Sequence, residues 1–95
     1  MDKDTKRQVA IASARAALKV MGDVLAERTF QDEQWGGPEH DDGHTLADWR
    51  DYIVKQADRS VSSCDARACL VKVAALALAA IESLDRKAGA RPSGE

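Results

Sequence analysis

Apolar residues recur along this chain at the spacing of an α-helix. Ile11, Ala14, Leu18, Met21 and Leu25 repeat at 3-4-3-4 intervals, which is one stripe on a helix. Ala10, Ala17 and Val24 widen that stripe, while Arg15, Lys19, Asp23 and Glu27 recur at i,i+4 on another face, either solvated or turned toward a ligand. The pattern predicts a first helix from about Asp4 to Phe30. Trp35-Gly36-Gly37-Pro38 punctuates the chain, and residues 36–44 read as a polar loop. Thr45 followed by Asp48 has the form of a capping box, with Asp in place of the usual Glu. It opens a second helix whose buried face is predicted to carry Leu46, Trp49, Ile53 and Ala57. Ser60 to Ser63 read as a turn, and Ser62 with Asp65 repeats the capping pattern ahead of a third helix from about Asp65 to Lys87. Leu70, Val73, Ala77, Ala80 and Leu84 form its stripe. From Val73 to Ile81, however, no position is polar. A helix apolar on every face is buried on every side, so other subunits are expected to complete its cover. Gly89, Pro92 and Gly94 predict a flexible tail over 89–95 after a single helical domain over 1–88. The expectation is an all-α, three-helix protomer in a helical homo-oligomer.

Composition sharpens this picture. The chain has 95 residues and is 44% hydrophobic, but only 4% aromatic, and alanine dominates the apolar set. A chain of this size buries only about two-thirds of its unfolded surface. A core built so largely from Ala would be thin, which again points to partners. The longest fully apolar run is far shorter than the about 20 residues that a spanning helix needs, so no membrane partner is expected. Cys64 and Cys69 are five positions apart and form no CxxC, and the N-terminal residues lack an apolar signal core. Both features predict free thiols in the cytoplasm, packed as small apolar groups.

The net charge of −2 is no footprint for a nucleic acid polymer. The sum hides an asymmetry. Residues 31–51 hold seven acids and one base, net −6, between flanks that are each net +2. His40-Asp41-Asp42-Gly43-His44 lies inside that acidic stretch and is the densest cluster of possible ligands. Imidazole and carboxylate together suit Zn, Mn or Mg, which makes His40, Asp41, His44 and Asp48 a candidate metal set. Glu27, Gln31 and Gln34 would share a face if the first helix continued, offering mainly amide hydrogen bonds. Arg28, Arg50, Lys55 and Arg59 are near enough in sequence to grip a phosphate. The candidate ligand-binding residues are therefore Glu27, Arg28, Gln31, Trp35, His40, Asp41, Asp42 and His44. A purely structural reading of the same residues has the acids solvating the loop and capping the second helix, with each His bonded to backbone. Trp49 reads as core and Trp35 as loop packing. The chain shows no recognisable Ser-His-Asp order and no Gly-rich phosphate loop.

Glu27-Arg28, Gln31 and then Trp35-Gly36-Gly37-Pro38-Glu39-His40-Asp41-Asp42-Gly43-His44 resemble small proteins encoded in bacteriophage and prophage genomes. The likeness continues through Asp48-Trp49, Val71 to Ala77 and Glu82 to Arg86, covering most of residues 24–87. This resemblance implies a phage origin, with the cytoplasm of an infected bacterium as the setting, and implies no mechanism. A weaker similarity is to MazG-type all-helical nucleotide pyrophosphohydrolases, which place two acidic pairs on successive helices around Mg. Asp48-x-x-Asp51 matches the second pair, while the first is missing, since Gln34 stands where an acid would be needed. The functional expectation is a non-enzymatic binder of a phosphorylated or nucleotide-like ligand, in one version a host defence nucleotide signal that it sequesters. The alternatives are a metal-dependent nucleotide pyrophosphohydrolase and a helical partner-binding protein.

Overall fold

The computed structural model describes residues 2–89, which form four helices and no strand. They are α1 (Lys3–Trp35), α2 (Pro38–Asp42), α3 (Leu46–Ser62) and α4 (Ala66–Gly89). The all-helical class is as expected. The count of three helices is corrected to four, because the segment read as a loop contains α2. Pro38 occupies the first turn of α2, where its missing N–H has no helical partner to lose.

Capping chemistry sets most of the boundaries. Asp2 accepts from the Thr5 N–H at 2.7 Å and starts α1. That helix passes Phe30 and runs to Trp35, where Gly36 takes a left-handed φ of 107° and donates to the Asp32 carbonyl. Thr45 and Asp48 form the expected reciprocal capping box of α3. The predicted Ser62–Asp65 box does not form. Ser62 is the last residue of α3, and Asp65 itself caps α4 by accepting from the Ala68 N–H at 3.0 Å. The tail expected from Gly89 onward lies, from residue 90, outside the described residues.

Helix α4 is the centre of the molecule, and each of the other three helices packs on it. Ala75, Ala79 and Ser83 recur at i,i+4 and are buried, so the neighbouring backbones can approach closely. Trp49 from α3 fills the space above Ala79 and Ala80, flanked by Leu76. Within the run Val73–Ile81, the chain's own helices bury or half-bury every residue except Ile81. The predicted α3 face is partly corrected as well. Trp49 is buried, but Leu46, the first residue of α3, is exposed. Cys64 is exposed in the turn between α3 and α4, and Cys69 is half-buried; both are free thiols.

The largest difference concerns α1. Only its second half meets α4, through Val24, Arg28 and an Arg67–Asp23 ion pair at 2.7 Å. Every residue from Lys3 to Gly22 is exposed. The stripe from Ile11 to Leu25 is therefore uncovered, with Leu18 at 65% and Met21 at 57% exposure. The molecule measures 52 × 42 × 22 Å.

Candidate functional site

A single open cleft of about 540 Å³ gathers most of the residues singled out above. It lies where the second half of α1, the short α2, the start of α3 and the middle of α4 converge. Glu27, Arg28, Gln31, Trp35, His40, Asp41 and His44 all line it. They converge because Gly36 and Gly37 reverse the chain: their φ values of 107° and 71° lie in the left-handed region, which disfavours side chains. Helix α2 therefore folds back toward α1, and His40 stacks toward Trp35 at 6.3 Å.

Asp42 lies outside the cleft. It turns to α4, where Ser83 Oγ donates to it at 2.8 Å and Arg86 Nη2 donates at 2.8 Å. The Arg86 guanidinium, helped by the Ser83 hydroxyl, holds the Asp42 carboxyl at about 2, well below its ordinary 3.8. Lys87 Nζ donates to the His44 carbonyl at 3.0 Å and fixes the other end of the same segment. These bonds anchor α2 to α4, so Asp42 is a positioning group.

Arg28 is buried at the base of the cleft among three carboxylates. It hydrogen-bonds Asp32 on its own helix and Glu82 on α4, the latter at 3.1 Å. It also pairs with buried Asp41 at 3.0 Å, as an ion pair off the hydrogen-bond line. Arg28 is therefore not free to grip a phosphate as the sequence suggested; its charge is spent neutralising acids. Arg50, another cation considered for that role, pairs with its neighbour Asp51 at 3.1 Å and does not line the cleft. The cations that do line it without such partners among the described residues are Lys55 on α3 and Lys72 on α4.

One wall of the cleft is a row of rings. His44 is central, with ring centroids 4.7 Å from His40, 4.9 Å from Trp49 and 5.3 Å from Tyr52. Its Nδ1 sits 2.9 Å from the His40 carbonyl. A carbonyl can only accept, so Nδ1 is the donor in this contact. Trp35, at 66% exposure, stands at the open end of the row and offers a ring face to anything that enters. Gln56 adds a buried side-chain carbonyl with no protein partner among the described residues.

The candidate metal set does not assemble. Asp48 Oδ2 accepts from the Thr45 N–H at 2.9 Å in the cap of α3, His44 uses Nδ1 on backbone, and Asp41 faces Arg28. Among the described residues no three His, Cys, Asp or Glu side chains come together as a metal-binding group. Nor do Asp48 and Asp51 act as an acidic pair at the cleft: one is a cap and the other an exposed partner of Arg50.

Sequence reading missed Phe30, Trp49, Tyr52, Gln56, Lys72, Leu76 and Ala79 as cleft residues. Tyr52 and Gln56 lie one turn and two turns after Asp48 on α3, a spacing that could have flagged them. The α4 residues carried no local signal; only the packing of helices brings them to the site. No known protein family, curated protein or solved structure matches this chain.

Proposed function

We propose that the protein binds a small phosphorylated or nucleotide-like ligand in this cleft and does not transform it. The observation that carries the reading is the meeting of an exposed aromatic face with two lysines in one cleft of suitable volume. Base–aromatic stacking is tolerant of base identity and suits Trp35 at the mouth. Lys55 and Lys72 supply the charge for a phosphate, and the Gln31 and Gln56 amides can meet the edge of a base. The acidity of the surrounding stretch, which would repel phosphate, is offset in part: Arg28 pairs with Asp41 and Arg86 with Asp42, and the lining of the cleft sets Arg28, Lys55 and Lys72 against Glu27 and Asp41. In the version suggested by the likeness to phage proteins, the ligand is a nucleotide signal of host defence, and binding withdraws it from its receptor.

Calorimetric titration with nucleoside mono-, di- and triphosphates and with cyclic nucleotides tests this. Binding is expected for at least one of them. Trp35→Ala is expected to weaken it about ten-fold or more, the size of one lost stack. Lys55→Ala combined with Lys72→Ala is expected to weaken it further and to remove its salt dependence. Ligand released by heating should be chemically unchanged. Hydrolysed ligand would replace this reading with the pyrophosphohydrolase alternative, and absence of binding to every phosphorylated compound would end it.

A further inference from the structure

We infer that the exposed half of α1 is a self-association element, which pairs antiparallel with α1 of a second copy of this chain. Three observations converge on it.

The first is surface. The chain exposes 7087 Å², whereas a compact monomer of its mass exposes roughly 5,400 Å². Its radius of gyration is 17.2 Å, against about 12 Å for a compact domain of this length. The excess, about 1,700 Å² per protomer, exceeds the about 800 Å² that each partner contributes to a stable interface.

The second is the pattern of what is exposed. Ile11, Ala14, Leu18, Met21 and Leu25 keep the heptad interval of a two-helix seam along the free side of α1. The seam does not stop where α4 begins: Leu25 is still 56% exposed, because α4 covers the side of α1 that carries Val24 and Arg28. Helices in proteins draw most of their stability from packing of an apolar face, so a partner for the seam also supports the exposed half of the helix.

The third is charge, which selects the partner and its direction. Residues 3–22 carry five bases and one acid, net +4, whereas residues 23–35 carry four acids and one base, net −3. Parallel pairing would set like ends together. Antiparallel pairing about Leu18 sets Ile11 beside Leu25, and lays Lys3, Lys6 and Arg7 alongside the acidic end of the partner's α1. The helix is thus complementary to itself in reverse, as a two-fold interface requires. This places self-association on α1, in contrast to the apolar run of α4, which the chain's own helices largely cover.

Sedimentation velocity across the micromolar range, with concentration-dependent hydrogen exchange, tests the proposal. Wild type is expected to form a dimer or a multiple of it, with amides 3–22 gaining protection as concentration rises. Ile11→Glu with Leu18→Glu should give a monomer of unchanged helicity in α3 and α4, since neither side chain touches its own fold. Reversing Lys3, Lys6 and Arg7 to Glu should weaken the dimer at least about ten-fold, and the loss should shrink in high salt. A wild-type monomer throughout that range overturns the inference. Should that monomer co-sediment with phosphatidylglycerol vesicles, the arm would belong to a lipid surface instead. An oligomer that survives the double Glu variant, with exchange over 3–22 still fast, would also overturn it by moving the interface elsewhere.

Discussion

Arg28 shows how much one residue can decide here. It is the cation in a buried cluster with Asp32, Asp41 and Glu82, and the cluster ties α1 to α2 and α4 at once. Arg28→Met keeps most of the side-chain volume but leaves buried Asp41 without its counter-charge. Removing one partner of a buried pair is expected to cost about 3–5 kcal/mol, measurable by urea unfolding. A loss near zero would mean that the acids escape to water when Arg28 is gone. Asp42 gives a pH signature. Its carboxyl is held at about 2 in the folded chain, below the ordinary 3.8, by Arg86 and Ser83. A depressed folded-state value means that the carboxylate contributes stability above the ordinary value, and that this contribution fades as pH falls from 3.8 toward 2. Wild type should therefore lose stability over that window, and Asp42→Asn should show a flatter profile when unfolding is followed at a series of pH values. Equal slopes would show that Asp42 is not held as described.

Among the elements, the Gly36-Gly37 turn does most to build the site. Gly37 combines φ 71° with ψ −148°, a region open to glycine and nearly closed to other residues. Gly37→Ala meets no atom within 4 Å, so its cost is backbone strain alone. We expect a loss of about 1–3 kcal/mol, together with a change in the near-ultraviolet circular dichroism of Trp35 as α2 shifts away from it. An unchanged spectrum with unchanged stability would refute the role given to this turn. The same turn explains why the polar stretch after Trp35 becomes a helix. Once the chain is reversed, Pro38 is in place for a first turn, and the Asp42 and Lys87 contacts hold the result against α4.

At the scale of the whole molecule, stability rests on few side chains. Among the described residues, the buried apolar ones are Val24, Trp49, Ala75, Ala79 and Ala80. Trp49 is the one large ring among them and is also a wall of the cleft. Trp49→Ala is expected to cost about 3–5 kcal/mol, a large share of the 5–15 kcal/mol that typical domains possess. It should lower the melting temperature sharply even where Trp35→Ala, which removes an exposed ring, does not. Similar melting temperatures for the two variants would mean that the core lies elsewhere.

The sequence by itself determined the helical class, the break at Gly36-Gly37, the capping box at Thr45 and the segment that supplies much of the lining of the cleft. Each of these is local: a cap needs residues three apart, a helical stripe needs neighbours one turn away, and a positive-φ turn needs glycine at one position. Seven of the eight predicted ligand-binding residues reach the cleft because they fall in one contiguous stretch around one turn. Tertiary structure decided what periodicity cannot state, which is the partner that covers each apolar stripe. The stripes on α1 and α4 have the same intervals, yet the chain's own helices cover Val73, Ala77 and Ala80 of the α4 stripe, leaving its ends Leu70 and Leu84 exposed, while the α1 stripe is uncovered throughout. Burial depends on the positions of other helices, and nothing within either stripe records them. The same holds for charge. Arg28 and Lys72 are both cations in the sequence, and only the arrival of Asp41 and Glu82 from distant elements commits the first to structure and leaves the second facing the cleft.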